Sequence, residues 1–489
     1  MTVQTAAEYE TVIGLEVHAQ LLTHSKMFCS CSTDYANKEP NTHVCPVCLG
    51  MPGVMPVINK KAVEYTIMTA LALNCTIPEY TKFDRKNYPY PDLVKGYQIS
   101  QYDMPLSKDG WLQISADGET KKIGITRVHL EEDTARLMHR QDPSGETYSL
   151  VDVNRSCTPL MEIVGEPDIR SPEQARRYLI QLRSILQYLG VCTGNMEDGT
   201  FRCDANISIR PVGMTELTTK VEIKNMNSFK AVYSALDYEV ERQHQMVQKG
   251  ETIVQETRGW DDSSGTTLSQ RSKEYAHDYR YFPEPDLPPL AVSRELVEEI
   301  RAKLPELPYA RRQRFIDEYG LSDYDASLLT VTKAQADYYE KAIEIGGADK
   351  AKAVTNWMNG EMARIINSTS TTFEDISIKV PPEYLAGLIE NVKTNVVNIS
   401  QAKTVLDDMY KTGNTSGDII AAKGLSQVSD TDEIDAIIQK AIDDNPKAVA
   451  DLKAGKEQAL KFLVGQVMKL TRGRANPQMV NKLLTERFK

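Results

Sequence analysis

The chain is short of several things, and each shortage removes a class of function. No apolar run approaches the length that a membrane-spanning helix needs. The stretch Met1 to Glu10 has neither the basic start nor the apolar core of a signal peptide, so a cytoplasmic location with no membrane partner is expected. No G-x-x-x-x-G-K-[ST] sequence is present, which excludes a P-loop nucleotide site. Basic charge is in deficit: 57 Lys and Arg stand against 68 Asp and Glu, a net charge of −11. Any nucleic acid must therefore be held by local basic patches rather than a global field. No Ser/Gly-rich amidase stretch supplies an activated nucleophile.

What is present suits a globular protein. The 489 residues, with 41% hydrophobic and 26% charged, allow a large core and roughly two to four domains. Four of the eight cysteines form Cys29-x-Cys31 and Cys45-x-x-Cys48. Two close pairs can present four thiolates tetrahedrally, as structural zinc prefers, although the first spacing is tighter than the commonest one. Free buried thiols or redox chemistry are the alternatives, and a disulfide is not expected in the cytoplasm. Cys75, Cys157, Cys192 and Cys203 are scattered and read as packed thiols.

The stretch Arg127 to Arg136 follows the strand-like Ile123 and Ile125 and carries three consecutive acids, Glu131, Glu132 and Asp133. Adjacent carboxylates repel unless a cation, a proton or water relieves them, and a solvated loop is the plain solution. Two other stretches offer partners. Ile13, Leu15, Val17, Ala19 and Leu21 alternate with polar residues, so Glu16 and His18 share one face of a strand. Phe201, Cys203, Ala205, Ile207 and Ile209 alternate likewise, which puts Arg202, Asp204 and Asn206 on the polar face of another. If these faces converge, Glu16, His18, Glu131 or Glu132, and Asp204 enclose a divalent cation. Mostly carboxylate ligation suits Mg²⁺ or Mn²⁺ better than Zn²⁺.

Asn59 to Asn74 reads as a helix capped by Asn59. Lys82 to Asp92 reads as an extended loop fixed by Pro89 and Pro91. In it, Arg85 and Lys86 can hold phosphates and the tyrosines can stack on a base, or the loop is simply a rigid surface. Ser171 and Pro172 open a helix buried through Leu179, Leu182, Ile185, Leu186 and Leu189 and ended by Gly190. Thr219 to Lys224 is expected to pair with the Asp204 strand, and a helix follows to about Gln248. The prolines at 283, 285, 288 and 289 form a stiff connector, with a domain boundary near residue 295. Helical periodicity follows, including Ile434, Ile437, Ile438, Ala441 and Ile442 behind an Asp430-x-x-Glu433 capping box. Lys461 to Lys489 holds seven Lys and Arg against one acid, Glu486. Lys469, Arg472 and Arg474 there suit phosphate contacts, and a solvated basic helix is the alternative.

Taken together, these motifs resemble one family. Gly14-Leu15-Glu16-Val17-His18, Lys86-Asn87-Tyr88, His129-x-Glu131-Glu132-Asp133, Arg202-Cys203-Asp204-Ala205-Asn206 and Asp278 to Asp286 closely resemble the B subunits of the tRNA-dependent aspartyl/glutamyl amidotransferases. Gly465 to Lys469 and Gly473 to Pro477 resemble the family's tail, so the match runs from about Tyr9 onward. The resemblance implies an α+β fold. A β-rich, cradle-like catalytic domain with the zinc loop would span 1–295, an all-α helical domain 296–405, and a small helical tail that contacts tRNA 406–489.

It implies a ligase that uses ATP and Mg²⁺ to phosphorylate the side-chain carboxylate of Glu-tRNA(Gln) or Asp-tRNA(Asn). Ammonia from a partner amidase (A) subunit then displaces the phosphate, in a heterotrimer with a small C subunit. The Mg²⁺ ligands implied are Glu16, His18, Glu131 or Glu132, and Asp204. Lys86 and Tyr88 would join them in catalysis, and Arg85, Lys86 and Arg202 would hold the nucleotide. The cysteines match a zinc site that some members lack, so zinc would be structural. Two rivals are a non-catalytic tRNA-binding scaffold and a metal-dependent phosphohydrolase acting on a small substrate.

Overall fold

The computed structural model describes residues 8–272, 279–425, 431–453, 456–471, 475 and 477–488. Contacts divide the chain into two units, Met1–Leu307 and Pro308–Lys489. The first is β-rich and the second is helical, as the α+β expectation requires. Among the described residues no helix is long and apolar enough to cross a membrane.

The strands of the first unit run β1 (Tyr9–Gln20), β2 (Tyr80–Thr81), β3 (Asp84–Asn87), β4 (Tyr97–Ser100) and β5 (Ser107–Ala116). They continue with β6 (Glu119–Glu132), β7 (Arg136–Gln141), β8 (Thr147–Asp152), β9 (Pro159–Gly165) and β10 (Phe201–Pro211). The remainder are β11 (Val221–Lys224), β12 (Glu256–Asp261), β13 (Thr266–Ser272), β14 (Phe282–Pro283) and β15 (Leu290–Ala291). Eight of them form one sheet in the order β13-β12-β11-β10-β1-β9-β6-β5. All neighbours are antiparallel except β11 and β12. A small sheet, β14-β3-β4, is separate.

Helices α1 (Lys60–Ala72), α2 (Pro172–Tyr188), α3 (Phe229–Gln248) and α4 (Arg294–Arg301) complete the unit. Their starts follow from their caps. Asn59 accepts from the Lys61 and Ala62 amides, Ser171 from Gln174, and Ser228 from Ala231. Gly190 takes the left-handed conformation, φ 66°, that terminates a helix such as α2. The inward alternate residues of β1, Ile13, Leu15, Val17 and Ala19, share one core with Leu179, Leu182 and Leu186 of α2 and Val232 and Leu236 of α3. The opposite face of β1 carries Glu16 and His18.

Three expectations need correction. Asp84 to Asn87 is a strand, not a loop, because its backbone pairs with β4 on one side and β14 on the other. The boundary lies after Leu307 rather than near 295. The proline-rich segment pairs along β3 and β2, and α4 buries Val297 and Ile300 in the first core. Proline is tolerated there because edge positions do not demand its missing N–H. The 405 boundary falls inside the helix Ile399–Thr412, whose Val405, Leu406 and Met409 belong to one core with Phe315, Tyr339, Leu385 and Ile420. A separate core of Ile434, Ile438, Leu463, Val467, Val480 and Leu484 begins only with the helix Thr431–Asp443. Asp430 of the expected capping box lies outside the described residues.

Candidate active site

Strand register brings the polar faces together. β1 sits between β10 and β9, with Glu16 opposite Asp204 and His18 opposite Arg202. On its other side His18 faces Glu162, which in turn lies opposite His129 of β6. Glu131 stands two residues beyond His129 and therefore on the same face. The result is a cavity of about 330 Å³ whose lining includes Glu16, His18, Lys86, Glu131, Glu162 and Asp204.

At its centre His18, Glu131 and Glu162 each offer a ligand atom, all within 4.8 Å of one another. The His18 Nε2 lies 3.6 Å from Glu131 and 3.8 Å from Glu162. Those separations are too long for hydrogen bonds. They match ligand atoms that share one small cation at about 2.1 Å each. Two carboxylates and an imidazole can hold Mg²⁺ or Mn²⁺, so this donor set fits the metal. Buried His129 orients the cluster. Arg127 Nε donates to its Nδ1 at 3.3 Å, which leaves Nε2 to donate to Glu162 at 3.1 Å. Burial opposes charge on Glu162, but His129, His18 and Lys86 outweigh it and hold the carboxyl below its usual range. Glu16 and Asp204 stand beside this group. Glu16 accepts from Asn206 at 2.9 Å, and Asp204 pairs with Lys224.

The cations of the cavity are not equivalent. Arg202 pairs with buried Asp133 at 3.0 Å, and Lys224 with Asp204 and Glu222. Among the described residues Lys86 has no carboxylate within ion-pair distance. Its ammonium lies 4.8 Å from the ring centre of Tyr279 and 5.8 Å from that of Tyr88. Burial disfavours its charge, yet Glu131, Tyr281 and Glu162 together raise its pKa above the usual lysine value. Lys86 thus remains a cation that lines the cavity, with no ion pair among the described residues. The Tyr88 hydroxyl donates to Gln98 at 3.3 Å, and burial pushes its pKa up.

The three consecutive acids are not a solvated loop, for all are buried. Glu131 alone enters the cluster. Glu132 projects to the other face with Val128 and Leu130, where it pairs with Lys95 and accepts from the Ile99 amide at 2.9 Å and the Cys157 thiol at 2.8 Å. Neighbouring residues on a strand point oppositely, so both cannot bind one ion. Asp133 is held in its charged form. Burial opposes ionisation, but Arg202, Arg155 and Gln20 lower its pKa. Its role is to fix Arg202. Arg85 is also displaced from the expected site. Its guanidinium grips Glu284 at 2.7 and 2.8 Å and lines a different cavity with Lys95 and Tyr97.

Sequence reading did not include Glu162 in the cluster, and it quoted His129 only as part of the acidic motif. Glu162 carried a signal: it is the lone acid in the apolar run Pro159 to Val164.

Elsewhere, Cys29, Cys31, Cys45 and Cys48 bring four sulfurs within 4.8 Å of one another, with none in a disulfide. The arrangement is compatible with a structural zinc, whose sulfurs lie about 2.3 Å from the metal. The Cys45 amide donates to the Cys48 sulfur at 3.1 Å, a contact that favours thiolate. Cys75, Cys157, Cys192 and Cys203 are buried free thiols, as expected. Lys469 is exposed near the end of the helix Glu457–Leu470. Arg472 and Arg474 lie outside the described residues.

Known proteins match this sequence closely over nearly its whole length. The profile of the GatB/GatE catalytic domain matches residues 11–298, and that of the GatB domain matches residues 337–488. The B subunit of the aspartyl/glutamyl-tRNA(Asn/Gln) amidotransferase of Dehalococcoides mccartyi is 60% identical over 483 residues, 98% of both chains. The corresponding B subunit from Carboxydothermus hydrogenoformans is 55% identical over 98% of this chain and 99% of its own. That from Thermodesulfovibrio yellowstonii is 55% identical over 98% of each. The chain belongs to the family of aspartyl/glutamyl-tRNA(Asn/Gln) amidotransferase B subunits.

Proposed function

We propose that this chain activates the side-chain carboxylate of glutamate or aspartate misattached to tRNA(Gln) or tRNA(Asn), and so prepares it for amidation. The observation that carries the reading is the cavity where a metal-fitting cluster, His18, Glu131 and Glu162, adjoins Lys86, a cation with no ion pair among the described residues. A carboxylate resists ammonia because it is anionic and has no leaving group. Transfer of the γ-phosphoryl group of ATP to one carboxylate oxygen supplies the leaving group and releases ADP. Ammonia then attacks the carbonyl carbon, phosphate departs with that oxygen, and the amine loses a proton. When bound, Mg²⁺ supplies charge neutralisation for the phosphates and alignment of the reacting groups.

The protein's own groups do the rest. Lys86 pairs with a phosphate oxygen. Glu16 and Asp204, held by Asn206 and Lys224, shape the rim of the metal cluster. Arg202, braced by Asp133, is placed to bind a transferring or departing anion. Nitrogen comes from a partner amidase subunit, with a small third subunit completing a heterotrimeric carbon–nitrogen ligase. In the complex, ATP consumption should depend on misacylated tRNA. Consumption without tRNA would favour a phosphohydrolase, and none at all would favour a scaffold.

The four thiolates hold one zinc as a staple. Cys45→Ser should remove zinc from the purified chain by elemental analysis and lower Tm by roughly 5 °C. Full zinc content in that variant would refute the site. The tail places the tRNA without performing chemistry. Truncation must follow Leu425, because a cut at 405 would open the helical core. It should raise the KM for tRNA and flatten its salt dependence by roughly 0.7–0.9 in log–log slope per lost phosphate contact. Unchanged tRNA affinity would count against this role.

A further inference from the structure

An unbroken line of aromatic rings leaves the cavity beside Lys86. Tyr88 meets Tyr279 edge to face at 5.7 Å, Tyr279 meets Tyr281 at 6.1 Å, and Tyr281 stacks on Tyr102 at 4.3 Å with planes 8° apart. Tyr88 and Tyr279 line the cavity at the inner end. Tyr102, at the outer end, is 52% exposed. The rings come from three separate segments: the residues after β3, those after β4, and the stretch entering β14. None of the four belongs to the hydrophobic core of the unit. Tyr102 and Tyr279 are exposed and Tyr88 and Tyr281 half-buried, and aromatic rings outside a core that reach solvent are a usual means of holding a nucleobase without reading its sequence. The Lys86 ammonium lies at the foot of the line, over Tyr279 and Tyr88, where a phosphate bound to it would carry its nucleoside toward the rings.

We infer that the stacked pair Tyr281 and Tyr102, with Tyr279 standing edge-on beside it, forms a stacking platform for the adenine ring of an adenosine substrate. The inference rests on the proposed function, which supplies two adenosines: that of ATP and the 3′-terminal adenosine of the tRNA. They share one chemistry, a flat purine joined to a phosphorylated ribose. Stacking on a ring needs its face, not its hydroxyl, so tyrosine and phenylalanine are equivalent here.

The test uses the complete amidotransferase with Tyr102→Ala and Tyr281→Ala, each beside its Phe counterpart. KM for ATP and KM for misacylated tRNA are measured separately, with kcat and Tm. Loss of a stacking face should raise one KM roughly tenfold with kcat nearly kept. The Phe variants should restore it. A rise confined to ATP assigns the platform to the nucleotide, and a rise confined to tRNA assigns it to the terminal adenosine. Both KM values staying within about twofold of wild type, or a fall in kcat and Tm alone, would overturn the inference and leave the rings as a staple for the Tyr279–Phe282 segment. Wild-type complex showing no tRNA-dependent ATP consumption would instead refute the proposed function itself.

Discussion

Glu131→Gln should reduce amide formation by roughly a thousandfold or more, equivalent to about 4 kcal/mol of barrier. The substitution keeps the size of the side chain and removes the charge that a cation between His18 and Glu162 requires. Asp204→Asn should act in the same direction from the rim. Both variants should fold, because their side chains sit on the polar face of the sheet while the core lies on the other. Glu131 does accept a hydrogen bond from Ser100 at 3.2 Å, which the amide oxygen can still accept. The loss should be equal with glutamine or with excess ammonium as nitrogen source, since both routes need the activated carboxylate. Glu132→Gln provides the contrast. Its side chain faces Lys95 across the sheet from the cluster, so its cost should appear first in stability, through a buried lysine left unpaired. Near-normal amide formation by Glu131→Gln, with metal bound as in wild type, would remove the residue from the site.

The second large effect belongs to Lys86. Replacing it with Met keeps the stem and deletes the one cavity cation that no carboxylate of the described residues neutralises. A decrease of roughly a hundredfold to a thousandfold in kcat is expected, the scale of losing one preorganised charge at a developing anion. The raised pKa of Lys86 means that this charge persists through neutral and mildly alkaline pH. An alkaline fall in activity over that range should therefore survive in shape in Lys86→Arg. Lys224→Met should cost less at the phosphate, because that ammonium is already paired with Asp204 and Glu222. Equal losses in the two variants would show that ion pairing does not decide which cation serves.

Much of this site was legible from residue spacing. Glu16, His18 and Asp204 could be placed on polar strand faces because each sits in an apolar alternation of period two. Helical spacing likewise gave the helices, whose caps at Asn59, Ser171 and Ser228 carried their own signal. What spacing could not supply was the partner of each face. Glu131 and Glu132 are adjacent, and only the register of β6 against β9 decides which one enters the cavity. Glu162 is the lone acid of an apolar run, and only strand register sets it between two histidines. The strand Asp84–Asn87 has no alternation to read, being polar throughout. It is a strand because chain from residues 97–100 and 282–283 pairs with it. The same pairing turns Arg85 away toward Glu284 and leaves Lys86 facing the acids. The first unit runs past 295 to Leu307 for a related reason: the segment that carries the prolines pairs through Phe282–Pro283 and Leu290–Ala291.

The claim that this chain phosphorylates its substrate is tested most directly by following one oxygen. Misacylated tRNA is prepared with ¹⁸O in the side-chain carboxylate of its glutamate and given to the complex with ATP and ammonium. Phosphorylation of that carboxylate, followed by attack of ammonia on carbon, sends one carboxylate oxygen into inorganic phosphate for every amide formed. The expected result is labelled phosphate in a 1:1 ratio with amide, and none from Glu131→Gln. Amide formed while phosphate carries no label from the carboxylate would contradict it.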